Sequence, residues 1–230
     1  MHYIFEGIQK AIQFIFTLDP KVFSAVWVSL RTSLVAVAFA TLIGVPLGFV
    51  VATHTFRGRQ PVITLLNSLM ALPTVVVGLT VYAFLSRQGP LGPFGLLYTP
   101  TAMVVGQFIL ATPIIAALTL SAVQSTDPRV RDTAITLGAS PWQTALTITV
   151  EAKYAIIAAI IAGFGRVIAE VGSAMMLGGN IRGYTRTMTT TIALETSKGE
   201  FGLGLALGII LLIVAFSVNI LFQYLQKAKV

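Results

Sequence analysis

Apolar residues run along this chain in long blocks, and polar and charged residues collect in the gaps between them. Thr32–Thr53 and Gln60–Ser86 carry no charge, and none occurs from Gln88 to Thr126. Within that last stretch, Gly89-Pro90-Leu91-Gly92-Pro93-Phe94-Gly95 is a turn-forming cluster that breaks any helix. A span is therefore predicted over about Thr101–Val123. Further spans are predicted over Tyr154–Leu177, interrupted by Arg166 and Glu170, and over Phe201–Phe222, where only Ser217 and Asn219 are polar. A bilayer core of ~30 Å takes about 20 helical residues, so the pattern predicts five transmembrane helices. The N-terminal piece differs. Ile4, Ile8, Ile12 and Phe16 recur every four residues, with Glu6, Gln9, Lys10 and Gln13 placed elsewhere. That is an amphipathic helix, too polar to span and suited to the interface. Asp19-Pro20 then offers an N-cap and first-turn proline for the next helix.

Composition agrees with this pattern. Of 230 residues, 56% are hydrophobic and 10% charged, with a mean hydropathy of +0.88. A soluble domain is about a quarter charged, so 15 Lys/Arg and 8 Asp/Glu cannot cover a globule of this size. A soluble enzyme is excluded, and the fold class expected is an all-α membrane protein forming one domain over residues 1–230. The net charge of +7 is spread singly over segment ends, with no basic helix face for nucleic acid. The chain has no cysteine, and His2 and His54 stand apart without partners for a metal. Residues 1–18 do not read as a signal peptide, because Lys10 interrupts the apolar stretch instead of preceding it.

Five spans put the two ends of the chain on opposite sides. With the C-terminus cytoplasmic, the inner segments hold Arg57, Arg59, Arg129, Arg131, Lys153, Lys227 and Lys229. The outer segments hold Lys10, Lys21, Arg31, Arg87, Arg182, Arg186 and Lys198. The tally is a tie, but the outer segments are longer, so base density favours an outer N-terminus and a cytoplasmic C-terminus.

Segment 124–153 has the strongest local grammar. Asp127-Pro128 starts a helix, and Gly138 ends it with a left-handed cap. Val130, Ala134 and Leu137 make an apolar stripe opposite Arg129, Asp132 and Thr136. Ser140-Pro141 repeats the start signal, and a second helix runs from Trp142 toward the fourth span. A capped helical hairpin at the cytoplasmic face is either a docking surface or a packed connector that stiffens the bundle.

The spacing Asp132-Thr133-Ala134, three residues, Gly138, nine residues, Ile148-Thr149-Val150-Glu151 resembles the cytoplasmic loop of ABC importer permeases, E-A-A…G…I-x-L-P. Ala134, Gly138 and Ile148 match, and Glu151 stands where the family has proline. Leu137-Gly138-Ala139-Ser140-Pro141-Trp142 is similar to the same loop. The resemblance extends to Gly44-Val45-Pro46-Leu47-Gly48, to Ala71-Leu72-Pro73-Thr74 and to Gly165-Arg166-Val167-Ile168-Ala169-Glu170. The first looks like the family's start-of-core pattern, and the other two are similar to the molybdate/sulfate/tungstate branch. Gly178-Gly179-Asn180-Ile181 and the run Thr185-Arg186-Thr187-Met188-Thr189 to Gly199 most resemble its tungstate permeases. The resemblance implies a type I importer permease whose loop (Asp127, Asp132, Thr133, Ala134, Gly138, Ala139, Ser140, Pro141 and Ile148) couples to an ATPase. It also implies an inner-membrane homodimer with two ATPase subunits and an external oxyanion-binding protein.

Pro46, Pro73 and Pro113 fall mid-span, as hinges or as static shape for packing. Arg166 and Glu170, four apart, can pair on one helix face. The pair either pins helices or lends Arg166 to a passing oxyanion, with Pro73, Thr74 and Pro113 as further path candidates. The polar segment 178–200 reads as external, with Asn180 and Arg186 as docking candidates; a solvated linker is the plainer reading, against which Ile192, Ala193 and Leu194 mark a partly buried helix. No G-x-x-x-x-G-K-[ST] phosphate loop occurs, so the chain is expected to bind no cofactor, and ATP is used by another polypeptide. A secondary carrier or channel is the rival class, disfavoured by the odd span count and lack of an inverted repeat.

Overall fold

The computed structural model describes residues 2–17 and 19–227, so Lys229 of the charge tally and Leu18 of the amphipathic segment lie outside the described residues. Eleven α-helices follow one another among them: α1 (His2–Thr17), α2 (Pro20–Thr53), α3 (Arg59–Leu69), α4 (Thr74–Leu85), α5 (Pro100–Gln124), α6 (Pro128–Thr136), α7 (Pro141–Glu151), α8 (Lys153–Ile168), α9 (Gly172–Gly178), α10 (Met188–Ser197) and α11 (Phe201–Lys227). A short 3-10 turn, Gly92–Phe94, sits in the predicted loop between α4 and α5.

Three helices, α2, α5 and α11, are long and apolar enough to cross a membrane, and two bent pairs bring the number to five. The bends change the picture of the second span. Instead of one kinked helix over Gln60–Ser86, α3 and α4 meet at 100° across a break ending in Pro73. Proline cannot donate the helical hydrogen bond, and it drives the preceding Leu72 toward extended backbone. Pro73 is thus the N-cap of α4, not a residue inside a helix. The fourth span is broken too: α8 ends at Ile168 and α9 begins at Gly172, leaving Glu170 in the gap. At its other end α8 meets α7 at 67°, with Ala152 at the corner.

The centre of the bundle is the crossing of α2 and α5. Ala36, Ala40, Gly44 and Gly48 recur every fourth residue on α2 and are all buried. In lipid, apolar surface gains little from burial against apolar surface, and close backbone approach supplies the attraction. Gly48 shows how close: a Cβ there would lie 2.3 Å from the Ala116 carbonyl oxygen. Val37, Ala40, Leu110, Ile115, Phe164 and Leu177 join the central cluster, which α4 enters through Val77 and Val81.

Two polar-looking segments are placed differently from a reading of periodicity alone. The stripe Ile4, Ile8, Ile12 and Phe16 of α1 points outward, while Gly7 rests against Leu205 of α11. Helix α10 does not lie wholly on the surface. Met188, at its start, packs with Ala25 and Ile210, whereas Thr196 near its end meets Gly204. The helix therefore runs antiparallel to α11 and starts beside Ile210, nine residues or roughly 13 Å along the α11 axis from Phe201. Its fully buried residues are Met188, Thr189 and Thr190, and Ile192, Ala193 and Leu194 are half-buried, as expected of a partly buried helix.

Candidate functional site

The α6–α7 hairpin is built from local signals. The Asp127 carboxylate accepts from the Arg129 amide at 2.9 Å, and Pro128 takes the first helical position. Gly138 has φ +81, a conformation open to glycine at little cost, and its amide donates to the Ile135 carbonyl at 2.9 Å. The adjacent amide of Ala139 closes onto the Ala134 carbonyl at 3.0 Å. Ser140 and Gln143 then form a capping box around Pro141. Both helices are therefore fixed at their facing ends, and the corner between them is stiff.

Its two faces differ. Ala134 and Thr144 are buried, and Ile148 packs with Ala122, Val123, Ala152 and Ile156 at the ends of α5 and α8. Leu137 leaves the stripe expected with Val130 and Ala134: it is 82% exposed, because the left-handed turn at Gly138 swings the chain away just after it. Trp142 is 76% exposed, and Ile135, Leu146 and Val150 are exposed as well. Asp132 and Thr133 also face solvent. A row of bare large apolar side chains on a rigid hairpin is a surface that awaits a cover.

A second group gathers where helices break inside the bundle. The Arg166 guanidinium donates to Glu170 Oε2 at 3.2 Å; the arginine side chain is 37% exposed and the carboxylate 2%. The pair forms although Glu170 lies beyond the end of α8, and not on a shared helix face. Glu170 Oε1 accepts from the Ser173 amide at 2.9 Å, tying the carboxylate to the first turn of α9. The Glu170 carbonyl accepts from the Thr189 hydroxyl at 2.7 Å, and the Met188 amide donates to Ser29 Oγ on α2 at 2.9 Å. Gln107 of α5 donates to the Val167 carbonyl at 3.3 Å. Gly172 lets α9 approach the start of α4, where an added Cβ would sit 3.1 Å from Val75 and 3.3 Å from the Thr74 hydroxyl.

Of the predicted path candidates, Arg166, Glu170, Pro73 and Thr74 thus lie at two neighbouring breaks. Pro113 is buried inside α5, and no hydrogen bond joins it to that group among the described residues. Asn180 and Arg186 hold each other: the guanidinium Nε reaches Asn180 Oδ1 at 3.1 Å, and Nη2 reaches its carbonyl at 3.2 Å. Thr185, buried beside them, donates to the Gly178 carbonyl and accepts from the Ile181 amide. Sequence reasoning passed over Ser29, Gln107 and Ser173, and took Thr187 and Thr189 only as part of the run that resembles the tungstate permeases. One signal was available, since Thr187 and Thr190 form a capping box that announces a helix start.

Residues 44–229, which include the hairpin and both broken helices, match the family model of the binding-protein-dependent transport system inner membrane component. The chain belongs to this family. It is a transport subunit and not an enzyme, and ATP hydrolysis belongs to a separate subunit. The tungstate uptake system permease protein of Peptoclostridium acidaminophilum is 38% identical over 227 residues, covering 99% of this chain and all of the relative. Its counterpart in Campylobacter jejuni is 40% identical over 227 residues, covering 99% of this chain and 95% of the relative. The inward-facing MetNI methionine ABC transporter shares the fold of this permease, with a TM-score of 0.75 at 18% identity over 91% of this chain and 98% of that one.

Proposed function

We propose that this permease forms the membrane path of an ATP-driven oxyanion importer, with tungstate as its substrate. The observation that carries the mechanism is the hairpin: capped at both helices, anchored through Ile148, and apolar on its free side. Such a lever suits an ATPase cleft that closes on Leu137 and Trp142 and moves α8 through the corner at Ala152. Asp127, Asp132, Thr133, Ala134, Gly138, Ala139, Ser140 and Pro141 shape that lever. The tungstate reading rests on the near full-length likeness to the two tungstate permeases. Molybdate and sulfate are the alternatives, being tetrahedral dianions of the same charge.

In this reading two copies enclose the path, each with one ATPase subunit on the cytoplasmic side and a shared oxyanion-binding protein outside. The N-terminus lies outside, the C-terminus inside. The Arg166–Glu170 pair pins α8 to α9, and the half-open Arg166, with Thr74 nearby at the break before α4, faces the path. A partly neutralised arginine attracts a dianion without trapping it. Pro113 shapes α5. Asn180 and Arg186 hold the outer loop in the form that the binding protein meets.

The test is ATPase activity of the co-expressed complex in vesicles, with binding protein carrying tungstate, molybdate or sulfate. Tungstate is expected to stimulate most. Equal stimulation by all three removes tungstate as the substrate, and uptake without any ATPase subunit removes the importer reading.

A further inference from the structure

Two cavities meet beside the N-terminal end of α2. The upper one, about 600 Å³, is lined by Lys21, Arg182, Arg186 and Lys198, with Asp19 and Glu195. Four bases thus face two carboxylates: Glu195 pairs with Lys198 at 3.0 Å, while Asp19 caps α2 through the Lys21 amide at 2.8 Å and keeps its charge. Arg186 is held by Asn180. Lys21 and Arg182 have no side-chain partner among the described residues, so the cavity keeps uncompensated positive charge.

The lower cavity, about 210 Å³, shares Phe14, Asp19 and Val22 with the upper one and is otherwise apolar. Phe23, Val26, Ile210, Ile213 and Val214 complete it. The order along α11 fixes its orientation. Leu203 and Leu207 line the charged cavity, while Ile210, Ile213 and Val214 line the apolar one one to two turns further into the span. A charged mouth at the span's end thus opens into an apolar groove between α1, α2 and α11.

We propose that this composite site binds an anionic phospholipid. The headgroup phosphate sits against Lys21 and Arg182, and one acyl chain lies in the groove under Phe14. The site also accounts for α1: a helix whose apolar stripe points outward is held to the bundle through Gly7, and the lipid fills the space left between α1 and α2. A small free oxyanion explains the bases but not the apolar groove continuous with them. The proposal does not depend on which side of the membrane the N-terminus faces or on the transported substrate.

The test uses the complex of permease and ATPase in nanodiscs of mixed phosphatidylglycerol and phosphatidylcholine, extracted for native mass spectrometry. The ratio of retained phosphatidylglycerol to phosphatidylcholine is expected to exceed the bulk ratio by about thirtyfold, as two bases at about 1 kcal/mol each near a membrane surface provide. Lys21→Gln/Arg182→Gln should abolish that preference while lipid is still retained. Ile213→Trp, at an exposed groove position, should lower retention of both lipids. Equal retention of the two lipids by the unmodified complex overturns the proposal, and that comparison needs no variant to fold. A preference unchanged in Lys21→Gln/Arg182→Gln also overturns it. So does inorganic phosphate or tungstate that displaces phosphatidylglycerol, which would assign the cavity to a free anion.

Discussion

Replacing Glu170 by Gln keeps an acceptor for the Ser173 amide and removes the charge that faces Arg166. Replacing it by Leu removes both, and leaves a buried amide unpaired beside an uncompensated guanidinium. Arg166 is half-open to solvent, so the main loss is the unpaired buried amide, and Glu170→Leu is expected to cost about 2 kcal/mol and Glu170→Gln about half that. Yield and melting temperature of the purified complex would rank them. Removing both charges, as Arg166→Met/Glu170→Leu, should reduce assembly and also uptake per assembled complex; normal assembly would remove the pin, and normal uptake per complex would take Arg166 out of the path. Gly48 is a second sensitive point. Even Gly48→Ala puts a carbon against the Ala116 carbonyl, which neither backbone can easily yield, whereas Gly208→Ala meets nothing within 4 Å. The first is expected to lower the melting temperature of the complex markedly and the second to leave it unchanged.

At the scale of elements, the hairpin separates stability from coupling. Gly138→Ala strains a left-handed residue and should cost about 1 kcal/mol of local stability. Leu137→Asp and Trp142→Asp touch side chains that are mostly in solvent, so the permease should fold and insert normally. Co-purification of the ATPase and substrate-stimulated ATP turnover should both fall severalfold, a loss of contact area that salt would not restore. Unchanged turnover in Leu137→Asp/Trp142→Asp would place the ATPase elsewhere. These helix starts and stops were legible because caps act within three or four residues: Asp127-Pro128, Gly138 and Ser140-Pro141 each sit where their local chemistry demands. The outward turn of Leu137 was not legible, since helical periodicity continues a stripe that the left-handed residue after it ends.

At the scale of the whole molecule, the absence of cysteine gives a direct route to topology. Gly58→Cys and Gly183→Cys place thiols in open loops with nothing within 4 Å of the new Cβ. In intact cells a membrane-impermeant maleimide is expected to label the second and not the first; the reverse pattern inverts the orientation. By itself the sequence determined that this is a helical membrane protein, where its long spans lie and where its hairpin is capped, because hydropathy and capping are short-range quantities. Only the tertiary structure decided that α3 and α4 turn through 100°, that Glu170 sits between helices, and that Thr187–Thr190 start a half-helix deep in the bundle. A break in a span is stable only when other segments satisfy its freed polar groups. Those partners, Ser29, Gln107 and Thr189, come from positions 19 to 159 residues away, beyond the reach of any local pattern.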